Sequence, residues 1–205
     1  MKLIDALKHS GRPFEIPDAS RDDLPKFFIE MGFKEGAEIG VDKGEFTEKF
    51  AQAGLKIHGV DSWAWSKDYD NSRSQEHYDN IYEQAKSRLA PYSNATIFRK
   101  TSMEAVEDFK DESLDFVYID GNHKLKFVIE DIVGWSKKIK SGGVIAGHDY
   151  VQFKPRAETG ICHVIPAVNA YTRAYEIDNW YVIGRKEAPA GETRDRWRSW
   201  MFIKK

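Results

Sequence analysis

From residue 37 onward the chain alternates short apolar runs with amphipathic stretches of helical period, and this alternation constrains the fold more than any other feature. The runs cover residues 37–41, 56–60, 95–98, 114–119 and 143–146. Each has the length of a strand, and most are rich in β-branched or aromatic side chains. Between them, Phe46, Phe50 and Ala53 recur at helical spacing, as do Met103, Val106 and Phe109. The clearest stripe is Leu125, Val128, Ile129, Ile132, Val133 and Ile139, with Lys137, Lys138 and Lys140 near its end. Gly142-Gly143 is the expected stop for that helix. Strand alternating with helix predicts βαβ units, a parallel sheet and right-handed crossovers.

The C-terminal end departs from this rule. Residues 179–185 and 198–203 read as strands, yet the segment between them has Pro189, Gly191 and several charges but no apolar stripe. A connection without a helix predicts an antiparallel pair. Residues 1–36 read as an N-terminal helical extension, with a short helix around 23–31. Residues 62–91 exceed a simple strand-to-helix connection and read as an insertion or lid, helical from about 75 to 90. Trp63, Trp65 and Tyr69 lie at its start.

With 205 residues, the expectation is a single domain spanning 1–205. The net charge of −2 argues against a duplex nucleic-acid partner, which calls for a basic face. No apolar run approaches the roughly 20 residues needed to cross a bilayer, and no signal-peptide core is evident. The single cysteine, Cys162, rules out an internal disulfide and a cysteine-rich metal site, which fits a reducing, cytoplasmic setting.

The first parallel strand carries Glu38-Ile39-Gly40-Val41-Asp42-Lys43-Gly44 and leads into a helix. Gly40 would let backbone approach a ligand, and Gly44 would allow a tight turn into the helix. The spacing is Gly-x-x-x-Gly, not the Gly-x-Gly-x-x-Gly that seats a pyrophosphate. It suits a nucleoside with an amino-acid tail better than a dinucleotide. The next strand ends at Asp61, whose carboxylate can accept both ribose hydroxyls; a turn or helix-cap role fits the same position. The strands ending at Ile119 and Gly147 lead into Asp120-Gly121-Asn122-His123 and His148-Asp149-Tyr150. Asp120 and Asp149 would face one crevice and could share a hard divalent cation such as Mg or Mn. His148 is a candidate third ligand or a hydrogen-bond partner of Asp149. His123 is a candidate base or a helix N-cap.

On these residues the chain resembles the class I S-adenosylmethionine-dependent methyltransferases, most nearly the metal-dependent sugar and macrolide O-methyltransferases. The resemblance covers residues from about 37 to the C-terminus. It implies a Rossmann-like, doubly wound, mostly parallel seven-stranded α/β sheet with an antiparallel C-terminal pair. It also implies S-adenosylmethionine as cofactor, with Glu38, Gly40, Val41 and Gly44 near the methionine end and Asp61 on the ribose. Ser102 and Met103 are implied near adenine, Asp120 beside both cofactor and metal, and His123 as base toward a hydroxyl on a small molecule; Trp63, read from its place after Asp61, packs either on adenine or within the insertion. The family's acidic pair after the fifth parallel strand is replaced here by His148-Asp149. An oxidoreductase using NAD and a non-catalytic nucleotide-binding module are the competing readings. A lid role for Trp65 and Tyr69, and substrate contact by Arg156, are further expectations.

Overall fold

The computed structural model describes residues 1–66, 73–152, 162–187 and 197–205. Eight strands form one sheet: β1 (Phe14–Ile16), β2 (Glu35–Ile39), β3 (Lys56–Asp61), β4 (Ala95–Arg99), β5 (Leu114–Ile119), β6 (Ile139–Gly147), β7 (Trp180–Ile183) and β8 (Ser199–Ile203). Their order is β1-β7-β8-β6-β5-β2-β3-β4. Strands β2 to β6 pair in parallel, and β8 runs antiparallel to both β6 and β7. All seven expected strands are present. The eighth, β1, comes from the segment read as purely helical and adds a parallel edge beside β7.

Helices cover both faces: α1 (Leu3–Ala6), α2 (Leu24–Glu30), α3 (Glu45–Gln52), α4 (Gln75–Leu89), α5 (Ser102–Ala105), α6 (Leu125–Lys138) and α7 (Val164–Ala174). The central strands bury both faces, so alternate residues enter different cores. On β5, Val117 and Ile119 join one cluster with Trp135, Val168 and Trp200. Phe116 and Tyr118 join the other, with Phe27, Phe28 and Phe50. The Phe28 ring lies 4.2 Å from Phe116, so the N-terminal segment covers one face of the sheet.

Helix α6 ends earlier than its apolar stripe suggests. Ile139 already belongs to β6, and Gly142-Gly143 lie within that strand, where they do not act as a helix stop. The buried face of α6 is Val128, Asp131, Ile132 and Trp135, whereas Leu125 is exposed. Tyr69, Arg156, Pro189 and Gly191 lie outside the described residues.

Candidate active site

Neighbouring strands β2 and β5 send the chain to helices on opposite faces of the sheet. Their carboxyl ends therefore part and leave a crevice. Two backbone bonds define its floor: Gly40 N–H donates to Val60 O at 2.8 Å, and Asp120 N–H to Ile39 O at 2.7 Å. Gly40 has φ +89°, and a Cβ there would lie 2.1 Å from the Asp120 carbonyl. The need for glycine thus arises from the tip of β5, in addition to any ligand. Gly44, at φ +78°, is the N-cap of α3 and makes the expected turn; it is not among the residues lining the crevice.

The resulting cleft has a volume of about 830 Å³. Its lining includes Glu38, Gly40, Val41, Asp61, Trp63, Ser102, Met103, Asp120 and His123. At one end, Asp61 is held by backbone amides. Its Oδ2 accepts from Val41 N at 3.0 Å and Asp42 N at 3.1 Å, and its Oδ1 accepts from Trp63 N at 2.9 Å. Burial raises its pKa, and these amides oppose the rise. The turn role therefore coexists with a place on the cleft wall. Trp63 is buried against Tyr82, and its Nε1 donates to Asp42 O at 2.9 Å. It is a fixed wall of the cleft. Trp65, by contrast, is 49% exposed.

Two buried acids of the cleft sit beside hydroxyls. Glu38 accepts from Thr47 Oγ1 at 2.5 Å, and burial pushes its pKa up to about 8. Asp131 accepts from Ser102 Oγ, which in turn accepts from Trp135 Nε1 at 2.8 Å. Burial pushes the Asp131 carboxyl up to about 7. Sequence reasoning missed Thr47 and Asp131. For Asp131 a signal existed: an acid three residues after Val128 falls on the buried stripe of α6.

At the other end, Asp120, His123 and Asp149 converge. His123 Nε2 lies 2.9 Å from Asp149 Oδ2 and 3.7 Å from Asp120 Oδ1. Burial favours the neutral ring, but the facing carboxylates of Asp120 and Asp149 outweigh it and raise its pKa to about 10. Burial acts upward on Asp149 too, yet His123 and His148 hold it well below the usual carboxylate range. Asp149 also has φ +53°, an uncommon conformation for a residue with a side chain. His123 is not the N-cap of α6; Lys124 is, and His163 Nδ1 accepts from Leu125 N at 3.1 Å.

Donor atoms of Asp120, His123 and Asp149 lie within 4.8 Å of one another, so this set can hold a metal ion. The histidine in that set is His123. His148, the expected ligand, places Nδ1 3.8 Å from Asp120 Oδ1 and 3.6 Å from Asp149 Oδ1. Arg21, also missed from the sequence, sets NH1 3.2 Å from Asp120 Oδ2. That contact spans 99 residues, so no local pattern announces it.

An open, mostly parallel sheet with an antiparallel end and a cleft at the β2/β5 switch point defines a class I S-adenosylmethionine-dependent methyltransferase. The sequence family described as a methyltransferase domain matches residues 37–150, and the chain belongs to it. This membership sets aside the oxidoreductase reading. Among curated proteins, uncharacterized protein y4gI of Sinorhizobium fredii is 31% identical over 128 residues, or 61% of this chain. The match spans 13% of that protein's length. The O-methyltransferase from Bacillus cereus in complex with SAH is similar in fold, with TM-score 0.59 and 16% identity over 89% of this chain and 80% of that one. The O-methyltransferase TomG from Streptomyces achromogenes, in complex with SAM, has TM-score 0.59 and 12% identity over 90% and 79%. An rRNA methylase from Streptococcus thermophilus also has TM-score 0.59, with 14% identity over 88% and 93%. Among the described residues, no helix is long and apolar enough to cross a membrane.

Proposed function

We propose that this protein transfers the methyl group of S-adenosylmethionine to a hydroxyl of a small molecule. The observation that carries the reading is one cleft with an amide-held Asp61 at one end and an Asp149-held His123 at the other. Asp61 would accept the ribose hydroxyls, while Trp63, Ser102 and Met103 enclose the adenine. Glu38 and Asp120 would face the methionine end. Solved relatives described as O-methyltransferases, two with SAM or SAH bound, support this assignment. The near-neutral charge favours a small acceptor, although one similar fold belongs to an rRNA methylase. A cytoplasmic setting and the single-domain reading of residues 1–205 belong to the same proposal.

The sulfonium methyl is already activated, so the protein chiefly aligns donor and acceptor. Asp149 and Asp120 face His123 at Nε2, so Nδ1 is the ring atom assigned to take the hydroxyl proton. With its pKa raised to about 10 by Asp120 and Asp149, His123 is charged at neutral pH. His123 can take a proton only as the neutral ring, a form that a cationic donor held in the same cleft would favour by like-charge repulsion.

A second reading rests on the converging donor set. Asp120, Asp149 and His123 Nε2 would hold a divalent cation such as Mg or Mn. When bound, that ion would lower the pKa of the acceptor hydroxyl. One ring cannot give Nε2 to a cation and also accept a proton on Nδ1, because the bound neutral imidazole carries its proton there. His123 is therefore the base or the ligand. Calorimetric binding of S-adenosylmethionine, followed by a methyl-transfer screen on hydroxylated acceptors, tests the main reading. Absence of donor binding would overturn it.

A further inference from the structure

We propose that His163 is a positioning residue: it grips the loop that carries His123 and so keeps that ring on Asp149. The proposal rests on the reading of His123 as the base and deepens it. His123 and Asp149 follow different strand tips, those of β5 and β6, and their side chains meet at 2.9 Å. A base acts only where its ring is held in one place, since a displacement of about 1 Å can cost a hundredfold in rate. His123 lies outside α6, in the loop that enters it. Asn122 Oδ1 accepts from Lys124 N at 3.0 Å within that loop, but Lys124, the N-cap of α6, makes no side-chain cap. The first turn of α6 needs a partner from elsewhere.

That partner is His163. Its backbone N–H donates to His123 O at 2.8 Å, and its ring Nδ1 accepts from Leu125 N at 3.1 Å. Two bonds on either side of Lys124 fix both the position and the direction of the chain there. His163 is the N-cap of α7, yet its side chain caps nothing in that helix. The ring serves the neighbouring helix instead. A backbone N–H can only donate, so Nδ1 carries no proton and the neutral ring holds its proton on Nε2. The grip is firm because α7 is packed: Val164, Ala167 and Val168 are buried in one cluster with Val128 and Ile132 of α6. The preceding residue reaches the other member of the pair. Cys162 Sγ lies 3.4 Å from the carbonyl oxygen of Asp149, the residue whose φ is +53°. Residues 162 and 163 thus touch the backbones of both Asp149 and His123.

Proton exchange tests the proposal without an acceptor. His123 Nε2 is shut off from solvent, so its proton can be followed by NMR on 15N-labelled protein at one neutral pH, as the signal missing in His123→Ala. Loss of one hydrogen bond from the loop should speed its exchange roughly tenfold. His163→Ala and His163→Leu should both show this rise, since leucine refills the space of the ring and offers no acceptor. His163→Asn should restore slow exchange, because its Oδ1 stands two bonds from Cβ, as Nδ1 does. The proton on Trp135 Nε1, held at 2.8 Å by Ser102 in the core, reports global loosening and should not change. Exchange at His123 that stays slow in His163→Ala and His163→Leu would overturn the proposal. So would an equal rise at Trp135, the mark of a merely structural role, or exchange as fast in His163→Asn as in His163→Leu. If His163→Ala does not fold, the leucine and asparagine variants decide alone. Calorimetry of S-adenosylmethionine on the wild-type protein is a separate arm. No binding there would remove the donor reading, while the exchange ratio still decides whether His163 holds His123.

Discussion

The two ends of the cleft are built by different means. At the Asp61 end, one carboxylate gathers three backbone amides from Val41, Asp42 and Trp63, and the wall is apolar packing around Trp63 and Tyr78. At the His123 end, charged side chains meet from the N-terminal segment, the tip of β5 and the tip of β6. A site held by its own backbone is fixed before any ligand arrives. A site held by ion pairs changes its protonation when a new charge enters. The contrast suits a cleft that binds one partner by shape and carries out proton transfer on another.

The largest effect that would test this contrast is at His123. His123→Ala should lower kcat by about a hundredfold to ten-thousandfold, the usual range for loss of a positioned base. Affinity for S-adenosylmethionine should not fall, because Asp61 and its amides are untouched and a like charge is removed. Steady-state rates beside calorimetry check both halves. A parallel loss of donor affinity would mean that the two ends are not separate.

Asp61→Ala should show the reverse pattern with a smaller effect. Three backbone amides lose their acceptor, two of them part-buried, so stability should fall by about 2 kcal/mol and donor affinity by roughly tenfold to a hundredfold. Turnover at saturating donor should change little. Denaturant unfolding and donor titration measure the two effects. Normal affinity in Asp61→Ala would remove Asp61 from the donor site.

The same contrast explains which features were visible in the sequence. The strands and the Glu38, Gly40 and Asp61 positions were legible because their constraints are local: apolar period, a turn into a helix, an acid at a strand tip. Strand β1 was not, since Phe14-Glu15-Ile16 is too short to show a period and is held mainly by its partner β7. The start of β6 was hidden because Ile139 extends the stripe of α6 and the following glycines resemble a stop. Arg21 and Thr47 were invisible because each acts on an acid that only the fold brings near. The exchange of His148 for His123 in the converging set has the same cause: the sequence gives the strand tip, not the direction of its side chains.

Asp131 supplies a smaller prediction, in pH. Its folded pKa is about 7 against an ordinary value of 3.8, raised by burial and opposed by Ser102. Between those values the folded protein holds a proton that the unfolded chain has released. Stability contributed by this group is therefore full below about pH 4, falls as pH rises toward 7, and is level above it. Asp131→Asn keeps an acceptor for Ser102 and has no charge to bury. Its Tm should exceed that of the wild type by a few degrees at pH 8 and match it near pH 4. Equal Tm differences at both pH values would show that Asp131 is ionised in the fold.

The smallest expected effect is that of a chelator. The carboxylates of Asp120 and Asp149 face cationic groups of the chain itself, Arg21 at 3.2 Å from the first and His123 at 2.9 Å from the second. A divalent cation among them must displace the proton on His123 Nε2 and compete with Arg21 for Asp120. Both costs favour the ion-free arrangement, so exhaustive chelation should leave methyl transfer unchanged. Asp149→Asn separates the alternatives further. It removes a charge that steadies the His123 imidazolium, so with His123 as base it should lower the pKa seen in the kcat profile while turnover survives. If chelation abolishes turnover and added Mn restores it in the wild type but not in Asp149→Asn, the ion is the activator and His123 its ligand. The His123 end would then resemble the Asp61 end more than its ion pairs suggest, as a rigid set of donors waiting for one ligand.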